Sequence, residues 1–302
     1  MIVVTGGAGF IGSHLVDFLL RKGKEVVVID NFSFGNYVNK DVVYINKDVR
    51  DKALINELSD VEAIFHFAAL PSVKESAERI DEVFDVNVRG TLNMLKIAKA
   101  FDSHFVFAST SAVYGNAKVP MKEDYACFPI SNYGASKLSA ESFVSSFSHT
   151  YDIKATILRF ANIYGERSRR GVMYDFFVKL SNNPKELLIL GNGKQRKSYL
   201  HVEDAVKATL IAFEKQQNLF DVFNVGSEEQ HEVNEIAELI SGEMGLEPEF
   251  KYTGGKQGWK GDVVNMLLDV SKIKSLGWKQ RVGFKEGVRR YVRWLKKQYN
   301  GY

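Results

Sequence analysis

The chain has 302 residues, 45% of them apolar, and a formal net charge of +3. That length allows one large or two modest domains with a substantial buried core, and so small a charge gives no electrostatic reason to expect nucleic acid or a membrane as partner. One cysteine, Cys127, excludes an internal disulfide and a multi-cysteine metal site, and no uncharged apolar run reaches the roughly 18 residues of a membrane span.

The chain opens directly on a strand, so no signal peptide is expected and the cytoplasm is the default location. Ile2, Val3 and Val4 feed into Thr5-Gly6-Gly7-Ala8-Gly9-Phe10-Ile11-Gly12 and then into a helical pattern. Gly6 suits the positive φ of a tight turn, Gly9 lets backbone approach a pyrophosphate, and Gly12 lets the helix pack closely on the strand. The helix N-terminus then faces the anion with unpaired N–H groups. Residues 25–30 read as a second strand ending in Asp30, placed to accept hydrogen bonds from both hydroxyls of an adenosine ribose. The same carboxylate repels a 2′-phosphate, so the expected cofactor is NAD rather than NADP.

Residues 31–40 are a polar loop and 42–45 a third strand, followed by Asp48. At a strand's C-terminal end Asp48 can accept from an adenine amino group, or it can cap a helix over 52–58. Residues 63–69 form a buried strand ending in small residues, and His66, between Phe65 and Phe67, reads as a core histidine rather than a base. A long helix is predicted over 82–101, with Asn87 as an amide that needs partners in an apolar surround. The strand 104–108 runs into Ser109-Thr110-Ser111-Ala112, hydroxyls facing the ligand crevice.

Tyr133 and Lys137 then lie four apart on a helix and share one face. A nearby ammonium and a cationic nicotinamide are expected to lower the tyrosine from a pKa of about 10, making the phenol a usable proton acceptor. Cys127, with no histidine beside it, reads as a filler. Arg289, Arg290, Arg293, Lys296 and Lys297 alternate with apolar residues and read as the solvated face of a terminal helix.

With these residues in place the chain resembles the extended short-chain dehydrogenase/reductases, and among them the NAD-dependent UDP-galactose (UDP-glucose) 4-epimerase type. Matching segments are the glycine turn, Asp30-Asn31, Asp48-Val49, His66-Phe67-Ala68-Ala69, Asn87, Ser109 to Gly115, Tyr133 to Lys137, Arg159 to Gly165, and Tyr199 to Val202 with Asp204. The resemblance implies a doubly wound parallel (Rossmann) sheet with a smaller substrate domain. The expected division is 1–160 plus 199–226 for NAD, and 161–198 plus 227–302 for the nucleotide sugar. It implies catalytic Thr110, Tyr133 and Lys137, with Ser111 as a possible second hydroxyl. NAD contacts are implied at Gly6, Gly9, Phe10, Ile11, Gly12, Asp30, Asn31, Asp48, Val49, Phe67, Ala68, Ala69, Asn87, Ser109, Tyr133, Lys137 and Phe160.

For a UDP-sugar partner it implies Thr110, Asn162, Val172, Met173, Leu188 in the strand 187–190, Lys197 and Tyr199. Two family arginines for the substrate phosphates are replaced, one by Lys197 with Arg196 adjacent, the other by Trp259 with Lys260 as the substitute. Where related dehydratases and decarboxylases carry acidic residues after the catalytic threonine, this chain has Ser111 and Ala112, which leaves oxidation and re-reduction of the sugar. The resemblance also implies a homodimer through the helices 82–101 and 133–151. The alternatives are epimerisation of a UDP-N-acetylhexosamine or UDP-glucuronate, a net oxidoreductase, or a non-catalytic dinucleotide sensor.

Overall fold

The computed structural model describes residues 1–73, 75–259 and 261–299. In chain order the first half comprises β1 (Ile2–Thr5), α1 (Phe10–Arg21), β2 (Val26–Ile29), β3 (Val43–Ile45), β4 (Ala63–His66), α2 (Ile80–Phe84), α3 (Gly90–Phe101), β5 (His104–Thr110) and α4 (Asn132–Tyr151). There follow β6 (Ala155–Phe160), β7 (Asn162–Tyr164), α5 (Val172–Asn182), β8 (Glu186–Ile189), β9 (Arg196–His201), α6 (Val202–Lys215) and β10 (Phe220–Val225). The chain closes with β11 (Gln230–Glu232), α7 (Val233–Met244), β12 (Glu249–Tyr252), β13 (Asn265–Met266), α8 (Ser271–Ser275) and α9 (Phe284–Tyr299).

Seven parallel strands form the main sheet in the order β10-β6-β5-β4-β1-β2-β3. The order reverses between β1 and β4. In a doubly wound sheet that reversal opens a crevice at the C-terminal strand ends, where ligands bind. Strands β1, β4 and β6 are buried along their whole length. Their apolar runs lack alternation because helices cover both faces. Leu15 and Val16 of α1 and Val202 to Ala212 of α6 pack on one face with Val4, Phe65 and Leu158. Met94 and Leu95 of α3 and Ala140 and Val144 of α4 pack on the other with Val3, Ile64 and Phe107.

A second sheet joins β11, β9 and β13, with β7 on β9, and β8 pairs with β12. Above them Phe176 and Phe177 of α5, Ile236 and Ile240 of α7, and Phe284, Tyr291 and Leu295 of α9 make a separate core. The two lobes exchange segments. β9, with Tyr199, belongs to the small sheet, whereas Met266, Leu268, Val270 and Trp278 pack beneath the large one.

The helix expected over 82–101 starts earlier, at Ile80, and contains a π turn, Asp85–Arg89, between α2 and α3. A π turn adds a residue to one turn and is frequent at functional sites. Here it carries Asn87. Residues 52–57 form a 3₁₀ helix, and its cap is Asp51, not Asp48. Asp51 immediately precedes the helix and accepts from the Ala53 N–H at 2.8 Å. Asp48 is instead gripped by Arg50, whose Nε and Nη2 donate at 2.7 and 2.8 Å. The third strand begins at Val43, one residue late, because the Val42 N–H is taken by Asn39 in a turn.

Candidate active site

The glycine turn is built by contact. Gly6 has φ 68°, and a Cβ there would lie 2.7 Å from the Ala68 nitrogen, so the turn after β1 touches the segment after β4. A Cβ on Gly12 would lie 2.2 Å from the Gly6 carbonyl oxygen, the close helix–strand approach expected of it. Gly9 meets only the Gly6 carbonyl, at 3.1 Å from such an atom. No side chain caps α1 at Gly9, which leaves the N–H groups around Phe10 and Ile11 to a ligand. Asp30, 8% exposed, accepts from the Ala8 N–H at 2.9 Å and the Phe32 N–H at 2.8 Å. A carboxylate has about four acceptor positions, so two remain for hydroxyl donors. An uncapped helix end, a turn with no room for Cβ atoms and an acid at the next strand end fit a dinucleotide.

The loop after β2 lies across this turn. The Tyr37 N–H donates to Ala8 at 3.1 Å, and a Cβ on Gly35 would lie 2.2 Å from the Ala8 oxygen. Asn31 donates to Asp48 at 3.0 Å, which brings together two of the residues expected near the adenosine. Val49 is buried against Gly90 at the start of α3. Phe67 and Phe160, at the ends of β4 and β6, face one another with ring centroids 6.1 Å apart. The Ala68 N–H donates to Thr5 Oγ1 at 3.2 Å, and Ala69 follows it, half-buried.

Thr110 ends β5 and caps the 3₁₀ turn Ser111–Tyr114, accepting from the Ala112 N–H at 3.1 Å. Tyr133 is the second residue of α4, whose cap is Ser131, accepting from the Gly134 N–H at 3.1 Å. A Cβ on Gly134 would come 2.7 Å from the Ala112 oxygen, so the glycine after the tyrosine lets α4 close on the segment after Thr110. Three further groups fix this turn. The Tyr133 N–H donates to Ser76 Oγ at 3.2 Å, Ser136 Oγ donates to the Tyr133 carbonyl at 2.8 Å, and Asn87 donates to Ser136 Oγ at 2.9 Å. Asn87 also brackets Leu70, accepting its N–H at 2.8 Å and donating to its carbonyl at 3.2 Å.

The acidity expected of Tyr133 is overturned for the protein without cofactor. Burial pushes its phenol up to about 12, opposed by a hydrogen-bonding contact with Thr110. Burial likewise pushes Lys137 down to about 7, with Glu141 acting against the shift. An ammonium four residues away favours the phenolate, and the cost of burying both charged forms outweighs it here. The Lys137 ammonium lies 4.0 Å from the centre of the Phe107 ring.

His66 is buried between two hydroxyls, Thr5 Oγ1 at 2.7 Å and Thr91 Oγ1 at 3.0 Å. Burial, with the charge of Lys137, lowers it to about 3, so it is a neutral core group. Burial pushes the Cys127 thiol up, away from the thiolate.

In the second lobe Asn162 pairs in register with Tyr199 and donates to the Ser198 carbonyl at 3.1 Å. Val172 opens α5, whereas the Met173 side chain is committed to the core above the small sheet. Leu188 is 46% exposed on β8, apart from that sheet. Lys197 is held by Asp262 at 2.5 Å and lies 5.3 Å from the Trp259 ring centre, so two of the substituted positions meet each other. Lys260 lies outside the described residues.

A buried network was missed by the sequence reading. Glu141 accepts from Ser109 and from Arg159, and Arg159 donates to the Tyr114 hydroxyl, which donates to Asn224 at 2.7 Å. The Ser109 hydroxyl expected at the cofactor is therefore directed at Glu141. The available signal was Arg159 itself, a charge inside the apolar strand 155–160 that requires a partner.

A family model described as GDP-mannose 4,6 dehydratase matches residues 3–291. A protein of Methanocaldococcus jannaschii named putative UDP-glucose 4-epimerase is 37% identical, over 98% of each chain. A Bacillus cytotoxicus protein named UDP-N-acetyl-alpha-D-glucosaminuronate decarboxylase is 30% identical, over 99% of this chain and 98% of that one. Among solved structures, the Thermotoga maritima UDP-glucose 4-epimerase with UDP-glucose has a TM-score of 0.93 at 35% identity, covering 99% of each chain. The Thermus thermophilus UDP-glucose 4-epimerase in complex with NAD has a TM-score of 0.89 at 33% identity, covering 98% of each. With the reversal in its seven-stranded sheet, the glycine turn and the Tyr133–Lys137 helix, the chain belongs to the nucleotide-sugar epimerase and decarboxylase family of the extended short-chain dehydrogenase/reductases.

Proposed function

We propose that this chain is an NAD-dependent 4-epimerase of a UDP-hexose, acting on UDP-galactose and UDP-glucose through a transient 4-keto sugar. The observation that carries the reading is the closure of α4 on the segment after Thr110, where a Cβ on Gly134 would lie 2.7 Å from the Ala112 oxygen, with Tyr133 beside that glycine and Lys137 one turn further along α4. When bound, NAD supplies hydride acceptance and return at the sugar C4, together with a positive charge beside the phenol. Tyr133 Oη takes the proton from the sugar 4-hydroxyl, and Thr110 Oγ1 holds the 4-oxygen. Lys137 favours the phenolate when charged and is placed to hold the nicotinamide ribose. Asp30 selects NAD by repelling a 2′-phosphate. Ser111 and Ala112 offer no acid near neutral pH, which favours epimerisation over water or carboxylate loss.

The UDP moiety is assigned to Asn162, Val172, the Met173 backbone, Leu188, Lys197 and Tyr199, with sugar rotation about the diphosphate exposing either face of C4. Pairing of two copies through the helices 82–101 and 133–151 is supported by exposed Ile80 and Phe84 on α2 and exposed Phe143 and Tyr151 on α4. Light scattering that returned a single-chain mass would end that part.

The experiment is to incubate the protein separately with UDP-glucose, UDP-N-acetylglucosamine and UDP-glucuronate and resolve the products, beside Tyr133→Phe. UDP-galactose from UDP-glucose, with a silent Tyr133→Phe that retains its nucleotide, is the expected result. Product from another sugar alone moves the assignment to that sugar, and full turnover by Tyr133→Phe ends the mechanism.

A further inference from the structure

The roles given to Thr110, Tyr133 and Lys137 leave a buried charge on the helix of Tyr133 and Lys137 without a purpose. Glu141 is 4% exposed and follows Lys137 by four residues on α4, so both side chains lie on one face of that helix. Arg159 of β6 forks onto its carboxylate, with Nε 3.1 Å from Oε1 and Nη2 2.7 Å from Oε2. The guanidinium is itself held by the Tyr114 hydroxyl at 2.9 Å and the Glu123 carbonyl at 3.0 Å. Ser109, the residue before Thr110, donates to Glu141 Oε1. The carboxylate therefore touches the strand that carries Thr110 and sits on the helix that carries Tyr133 and Lys137.

For stability alone, a buried ion pair is often replaceable by well-packed apolar residues. Its position relative to the lysine gives it another use. Resting on the epimerase reading, we propose that Glu141 is a positioning residue for the reaction: its carboxylate stands one helical turn from Lys137 on the same face of α4 and, through Ser109, holds the Thr110 strand end against that helix. The surroundings of Lys137 support this. On its own helix it has Tyr133 and Glu141. From β4 it is faced by His66, which is neutral in the fold, from β5 by the Phe107 ring, and the Arg159 cation of β6 is engaged by Glu141. Burial drives the ammonium toward neutrality, and Glu141 is the group that opposes it.

Glu141→Gln keeps the shape and removes the charge. It also strands the Arg159 cation, so the double variant Glu141→Gln/Arg159→Met is the companion that removes both. In Glu141→Gln the alkaline limb of turnover against pH moves to lower pH by about one unit, with KM for the UDP-sugar little changed, and in the double variant, which removes a cation together with the carboxylate, it moves the same way by less. The Lys137 side chain, followed by NMR in ligand-free protein carrying isotope-labelled lysine, titrates at correspondingly lower pH. A folded variant whose Lys137 titration and alkaline limb match the unmodified protein overturns the proposal. Tyr133→Phe run alongside keeps the two readings apart. Turnover by that variant removes the epimerase mechanism, whereas an inactive Tyr133→Phe with an unmoved Lys137 titration removes only the role of Glu141.

Discussion

Asn87 gives a hydrogen bond to Ser136 at 2.9 Å, across the gap between the π turn and the helix that bears Tyr133 and Lys137. The same amide brackets Leu70, so one side chain joins the segment after β4 to α4. Asn87→Ala leaves the Leu70 N–H and carbonyl without that partner in a buried setting. We expect a loss of about 3 kcal/mol in denaturant unfolding, together with lower turnover. A stability within about 0.5 kcal/mol of the unmodified protein contradicts the bracket.

Gly12→Ala places a methyl 2.2 Å from the Gly6 carbonyl oxygen, and the atoms it meets are backbone that cannot turn aside. The turn and α1 must move apart, which removes the geometry assigned to the cofactor's phosphates. The expected result is protein that releases no NAD on denaturation, as read by chromatography of the supernatant. A stoichiometric release argues against this turn as the cofactor site.

Lys197 is the cation of the second lobe assigned to the substrate phosphates, and Asp262 holds it in place. Lys197→Met keeps the apolar stem and removes the charge. A charged hydrogen bond is worth roughly 1.5–3 kcal/mol, so KM for the UDP-sugar rises about tenfold to a hundredfold while kcat changes less. An unchanged KM assigns the diphosphate to other donors.

His66 makes the fold sensitive to acid. It is lowered to about 3 in the folded protein, whereas the unfolded chain protonates it at its ordinary value near 6.5. Between those values the unfolded state binds the additional proton, so stability falls as pH drops through that window. The contribution at stake is on the order of 5 kcal/mol. Urea unfolding of His66→Gln across that range shows a flatter dependence on pH, and an undiminished slope assigns the acid sensitivity to other groups.

The parts of the site that were legible in the sequence are those fixed by spacing along the chain. The turn through Gly12 demands small residues at set intervals, Asp30 ends the next strand, and Tyr133 and Lys137 share a face whatever surrounds them. What stayed hidden depends on contacts between segments. Glu141 meets Arg159 across a helix and a strand, and Lys197 meets Asp262 over 65 positions of chain. The phenol's acidity was misjudged for a related reason, since burial is a property of the packed molecule and no spacing rule contains it. Asp51 displaced Asp48 as a cap by standing next to the first helical residue.

The π turn at Asp85–Arg89 has a genetic consequence. It is equivalent to one surplus residue in an otherwise regular helix, so the two flanking stretches are out of phase by roughly 100° of rotation. Deleting a single codon there would restore a regular helix and swing the residues on one side away from their present neighbours. In this stretch the number of residues matters to the site as much as their kind.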